Sequence, residues 1–168
     1  MIKIGEKSYY FSKICLNGHV LFDNLEHLDK TQEFCEECGK KIITCCENCN
    51  NPIRGDLYIP DVDILEQSKA PVYCYACGSP LPWTRAGIDA LEEFINFEDN
   101  LSKDEKEKLK KSIDDIITET PRSQFASLLF KIALTKMGKE TGKGMRDLLF
   151  KIATDKVRDS ISAQINLS

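Results

Sequence analysis

Eight cysteines, all between Cys15 and Cys77, are the residues of this 168-residue chain whose types and spacing carry chemistry. Three C-x2-C pairs stand among them: Cys35-Glu-Glu-Cys38, Cys46-Glu-Asn-Cys49 and Cys74-Tyr-Ala-Cys77. A fourth segment, Cys15-Leu-Asn-Gly-His19, sets a thiol beside an imidazole. Two residues between paired ligands let one tight turn present both sulfurs to a metal while backbone N–H groups point at the thiolates. Gly39 and Gly78 suit the positive φ common just after such a turn. A tetrahedral zinc ion takes two such turns, so four of them predict two Zn²⁺ per chain. Pairing in sequence order gives Cys15, His19, Cys35 and Cys38 for the first site and Cys46, Cys49, Cys74 and Cys77 for the second. Phe34-Cys-Glu-Glu-Cys-Gly and Tyr73-Cys-Tyr-Ala-Cys-Gly both look like closing turns, each after a less regular opening one. The alternative joins Cys35 and Cys38 to Cys46 and Cys49, leaving Cys15 and His19 for Cys74 and Cys77.

His19 decides what the first site is. With it the shell is closed and structural; without it, three protein ligands and a water would make a catalytic centre. The closed shell is the expectation. Cys45 stands outside the C-x2-C spacing and reads as a spare thiol, with redox sensing or ligand exchange the sharper alternative. His27 reads as an ordinary surface or loop residue. Four thiolates also suit iron, which spacing alone does not separate from zinc.

Cysteines in a secreted chain would suggest disulfides, but Met1 to Phe11 lacks the apolar core of a signal peptide, and no apolar stretch reaches the length of a membrane span. The expectation is a cytoplasmic protein without a transmembrane segment. Charge is polarised: residues 1–84 carry a formal −4, residues 85–120 carry −5 and residues 121–168 carry +5. Binding phosphates requires lysine and arginine to displace counterions, so nucleic acid is disfavoured as a partner of the acidic cysteine-bearing half.

The elements that must position these ligands are short. Ile2 to Ser12 predicts a hairpin turning near Gly5 and Glu6, and Ile53 to Val72, with Gly55, Pro60 and Pro71, predicts short strands and loops. After Pro82 the pattern becomes helical, and about four helices are expected. Thr84 is the candidate N-cap of the first, which carries Ile88, Leu91, Phe94 and Ile95 on one face and ends near Asn100. Ser102 and Glu105 form a capping box for a second helix reaching about Glu119. Thr120, followed by Pro121 at the first helical position, caps a third. Gly138, Gly142 and Gly144 are expected to interrupt it before a fourth.

The hexapeptide Leu-Leu-Phe-Lys-Ile-Ala occurs twice, at 128–133 and 148–153. Leu128, Leu129 and Ile132 match Leu148, Leu149 and Ile152 as an i, i+1, i+4 stripe, and Met145, Val157 and Ile161 extend the second. An antiparallel helical hairpin is the simplest packing. The chain thus divides into 1–84, a small β-rich module of two zinc ribbons, and 85–168, an all-α region with a duplicated amphipathic helix.

The run Cys-x-x-Gly-His, Phe-Cys-x-x-Cys-Gly, Cys-x-x-Cys-x-x-Pro-Ile-Arg-Gly and Cys-x-x-Cys-Gly-x-Pro-x-Pro-Trp-Thr resembles double zinc ribbon proteins of bacteria, and most closely an uncharacterised bacterial family, a domain of unknown function with a helical C-terminal half. Ser112-Ile-Asp-Asp and Thr120-Pro-Arg extend the resemblance over nearly the whole chain. It implies no known activity.

Function is expected to be non-enzymatic: structural zinc in an interaction or adaptor protein, with the helical half mediating self-association into a homo-oligomer or binding a protein partner. Trp83, with Pro80 and Pro82, is either an exposed aromatic anchor or packing between the ribbons and the first helix. The alternative is that basic amphipathic helices in 121–168 bind nucleic acid or an anionic membrane surface; its bland counterpart is neutralisation by acidic residues of the same chain. A zinc-dependent enzyme is the weakest reading, since no nucleophile elbow, P-loop, dinucleotide fingerprint or H-E-x-x-H is present.

Overall fold

The computed structural model describes residues 1–25, 32–60, 69–154 and 157–158. His27 and Ile161 lie outside them. Two compact units result, Met1–Thr84 and Arg85–Ser168. None of the described helices is long and apolar enough to cross a membrane.

The first unit is built on one strand. β1 (Ile2–Ile4), β3 (Val20–Leu25), β4 (Ile42–Ile43) and β5 (Arg54–Leu57) all pair antiparallel with β2 (Lys7–Cys15). β1 and β2 form the expected hairpin, closed by Gly5 at φ +61°. Register shifts along β2 against β3 and β5 break the two-residue alternation, and Ser12, Lys13, Ile14 and Cys15 are all buried. A bulge bends a strand and re-aims its side chains, which is how four consecutive residues can turn inward. Lys13, one of the most buried side chains, stands 6.0 Å from the centre of the Phe22 ring, at the edge of cation–π range. Pairing of Cys15 with Ile42 and of Phe11 with Arg54 ties the segments around the C-x2-C turns to the same strand that carries the first thiol.

The second unit is helical; among the described residues five helices are named where about four were expected: α1 (Pro82–Phe97, beginning within the first unit), α2 (Lys103–Lys111), α3 (Ile113–Ile117), α4 (Ser123–Lys136) and α5 (Lys139–Ile152). α1 starts at Pro82 rather than after Thr84, because proline at the first helical position loses no hydrogen bond. The Thr84 hydroxyl instead donates to the Val72 carbonyl at 2.8 Å. Ile88, Leu91 and Ile95 are buried on one face, as their spacing requires. The capping box forms fully, the Glu105 carboxylate accepting the Ser102 N–H at 2.9 Å and the Ser102 hydroxyl accepting the Glu105 N–H at 3.3 Å.

The expected second helix is divided at Ser112, whose hydroxyl donates back to the Lys108 carbonyl, the local competition that bends helices at serine. α4 begins at Ser123, later than Pro121. The Thr120 hydroxyl does accept an N–H, from Arg122, but within a turn tied further by Ser123 Oγ, which accepts from Thr120 and donates to Thr118. Gly142 and Gly144 do not interrupt a helix; they lie inside α5. Each costs about 1 kcal/mol relative to alanine; a β-carbon on Gly144 would press on the Phe94 ring at 3.2 Å, whereas one on Gly142 would make only ordinary contact with the Leu134 carbonyl oxygen at 3.6 Å.

The two hexapeptides do not bury the same stripe. Leu128 and Ile132 of α4 are exposed while Leu149 and Ile152 of α5 are buried. α4 packs on α2 and α3, and α5 on α3. Gly87 takes the Ile152 side chain almost against its backbone.

Candidate metal centres

Each C-x2-C turn is a miniature hairpin built the same way. The Cys35 N–H donates to the Lys40 carbonyl and the Gly39 N–H to the Cys35 carbonyl; Cys46, Asn51 and Asn50 repeat this, as do Cys74, Ser79 and Gly78. An isolated bridge closes each one, Phe34 with Lys41, Cys45 with Pro52 and Tyr73 with Pro80. The residue after the second cysteine takes positive φ in all three: Gly39 at +67°, Asn50 at +58° and Gly78 at +70°. Asn50 is the one that glycine spacing did not reveal, although asparagine is among the few non-glycine residues that visit this conformation. Cys45 stands where Phe34 and Tyr73 stand in the other hairpins, ahead of the ligand turn, and its Sγ lies 3.8 Å from the Thr44 hydroxyl.

These turns bring ligand atoms together in two groups. Cys15, His19, Cys35 and Cys38 form one, and Cys46, Cys49, Cys74 and Cys77 the other; within each, all ligand atoms lie within 4.8 Å of one another. Cys45 belongs to neither. In the first group Cys15 Sγ is 3.7 Å from Cys38 Sγ, and Cys35 Sγ is 3.6 Å from His19 Nδ1. In the second, Cys46 to Cys77 is 3.8 Å and Cys49 to Cys74 is 3.7 Å. A tetrahedral ion with metal–sulfur bonds of about 2.3 Å and metal–nitrogen bonds of about 2.0 Å sets sulfurs about 3.8 Å apart and sulfur and nitrogen about 3.5 Å apart. The closest pairs therefore match a tetrahedral metal ion, and the remaining donors lie within 4.8 Å.

The surroundings favour thiolates on the outer cysteines. Cys77 is pulled down to about 5 by the Ser79 hydroxyl and N–H and by the Asn48 amide, with Asn48 Nδ2 at 3.6 Å. Cys49 is lowered by the Asn51 side chain and N–H, and Cys38 by the Lys40 N–H. In all three the backbone N–H two residues on also donates, so the turn itself supplies part of the stabilisation. Cys74 is pushed up to about 11 by burial, and burial also raises Cys15 against the N–H groups of His19 and Asn17. A bound cation offsets that burial penalty, since a coordinating thiol is deprotonated outright. Glu37 places a carboxylate oxygen 3.6 Å from His19 Nδ1.

Small apolar cores lie directly under the ligands: Cys15 and Cys35 with Ile42, and Cys46 and Cys74 with Leu81. Trp83, half-buried, packs on the second of these and donates its Nε1–H to the Pro71 carbonyl at 2.8 Å. It is packing rather than an exposed anchor.

No curated protein and no solved structure matches the chain. The profile of a family of uncharacterised proteins conserved in bacteria, DUF2321, matches residues 8–161. The cysteine turns and the helical half both fall within that span, and the chain belongs to this family.

Proposed function

We propose that both clusters hold Zn²⁺ as a structural ion, that the protein is non-enzymatic, and that its helical half assembles with a second copy of the chain in the cytoplasm. The observation that carries the zinc reading is the gathering of eight donors from four turns into two four-donor shells at tetrahedral spacing. Four protein donors complete the shell of a tetrahedral ion and leave no open position for substrate. A module whose apolar cores consist largely of its own ligands needs the ion in order to fold.

The assembly reading is supported by α4, where Phe125, Leu128 and Ile132 are 52%, 53% and 46% exposed in one stripe. The cations at its two ends are engaged within the chain, Arg122 with Asp115 at 3.1 Å and Lys136 with Glu105. That pairing weakens the alternative of a nucleic-acid or anionic-membrane surface. A two-fold antiparallel pairing centred between Leu128 and Leu129 sets Phe125 opposite Ile132.

Native mass spectrometry with metal analysis tests both parts. Two zinc ions per chain in a particle of more than one chain is the expected result. A folded protein that binds no zinc at equilibrium overturns the metal reading, and a two-zinc monomer at tens of micromolar overturns self-assembly.

A further inference from the structure

One side chain packs on the second cluster and against the turn of the first. The hairpin that carries Cys74 and Cys77 is fastened to the start of α1 by four bonds: the Leu81 N–H to the Val72 carbonyl at 3.1 Å, the Thr84 hydroxyl to the same carbonyl at 2.8 Å, the Thr84 N–H to the Leu81 carbonyl at 2.9 Å, and the Trp83 indole N–H to the Pro71 carbonyl at 2.8 Å. Trp83 is thereby fixed relative to the second cluster, whose Cys46, Cys74 and Leu81 form the floor it packs on.

From that position it reaches the first cluster. A β-carbon on Gly18 would stand 3.0 Å from Trp83 Cβ and 3.1 Å from its Cγ, so the backbone of Gly18 lies directly against this side chain. Gly18 has φ +86° and donates its N–H to the Cys15 carbonyl at 2.8 Å. It forms the turn that sets Cys15 and His19 side by side, and the next N–H, that of His19, points at Cys15 Sγ from 3.3 Å. Trp83 therefore backs the one ligand turn that lacks the regular C-x2-C hairpin.

We propose that Trp83 is a positioning residue that couples the two metal sites: an ion in the Cys46, Cys49, Cys74, Cys77 cluster fixes the hairpin and the indole, and the indole holds the Cys15–His19 turn in its ligating shape. The proposal rests on the metal reading above. Coupling of this kind is reciprocal, and coupled sites commonly change each other's affinity by about 5- to 150-fold. Tight packing is what allows one site to impose a position on the other, since close-packed interiors transmit displacement.

The test is a chelator titration of the zinc-loaded full-length chain, with zinc counted by native mass spectrometry and indole emission followed in parallel. Trp83 is the sole tryptophan, so the emission reports on it alone. The wild type is expected to pass from two zinc ions to none with little one-zinc species, the emission changing in the same step. Trp83→Ala is expected to accumulate a one-zinc species that has lost the first site at least about fivefold more readily. Alkylation mapping should then find Cys15, Cys35 and Cys38 modified and the other four ligand cysteines protected. Trp83→Phe keeps a ring over Gly18 without the bond to Pro71, and is expected to fall between the two; it decides the matter if Trp83→Ala does not fold. Independent loss of two ions from the wild type, or concerted loss retained in the variants, overturns the coupling alone. A wild-type chain that takes up no zinc overturns the metal reading instead.

Discussion

The hexapeptide Leu-Leu-Phe-Lys-Ile-Ala is helical in both of its copies, in α4 and across the end of α5, yet the two copies turn different sides to the interior. In α4, Phe130 and Ala133 are buried while Leu128 and Ile132 face solvent; in α5, Leu149, Ile152 and Ala153 are buried and Phe150 is only half so. The rotation is about one residue, roughly 100° of helix. Neighbouring residues set it. Ala126, Leu134 and Met137 continue a stripe through Phe130, whereas Met145 leads one through Leu149 and Ile152. Six residues are fewer than two turns and cannot fix a helix's phase alone; the flanking apolar residues and the helices they meet do so.

The largest expected effect that would break this comparison comes from a buried leucine of the second copy set against an exposed leucine of the first. Leu149→Asp places a carboxylate at a fully buried position and should cost about 3–5 kcal/mol, as an uncompensated buried charge does, seen as loss of helical circular dichroism well below the wild-type denaturation midpoint. Leu128→Asp should stay within about 0.5 kcal/mol of wild type and yield a monomer if α4 is the assembly face. Equal destabilisation by the two would show that Leu128 does not lie on a solvent-facing side of α4. A middle-sized contrast follows from the phenylalanines. Phe130→Ala should cost about 3–5 kcal/mol, and Phe150→Ala about 1–2 kcal/mol, both read from urea midpoints.

The smallest effect concerns the ion pairs that help hold α4 in its rotation. Glu105 is held down at about 2, first by its bond to Lys136 and then by the Ser102 cap, against an ordinary 4.5. Because the folded value lies below the unfolded one, its contribution is fully present above about pH 4.5 and is lost as pH falls toward 2. The helical half should therefore lose stability across that window, and Glu105→Gln should flatten the profile. An identical profile in the variant would remove this pair from the forces that orient α4.

Much of the candidate site was legible because metal ligation leaves a local record. The two-residue spacing, Gly39 and Gly78 name three turns without any knowledge of the fold. Asn50 was less visible because asparagine takes positive φ in few of its occurrences. The amides of Asn48 and Asn51 and the hydroxyl of Ser79, which stabilise the thiolates, were not visible at all, since nothing in their spacing distinguishes them from ordinary turn residues. In the helical half, the capping box and the face of α1 followed from periodicity. The break at Ser112, the continuation of α5 through Gly142 and Gly144, and the start of α4 at Ser123 did not, because serine and glycine signals weigh differently once a carbonyl or a ring approaches closely.

What the sequence determines by itself is what depends on near neighbours: the ligand types, the turns that pair them, the change from strand to helix after Pro82 and the cap at Ser102. What only the tertiary structure decides depends on residues far apart in the chain. It selects which turns share a cluster, brings Trp83 against Gly18 some 65 residues away, and gives two identical hexapeptides different interiors. The physical reason is one of range: turn and cap energies are set within a few residues, whereas apolar burial is non-directional and is settled only when whole elements meet.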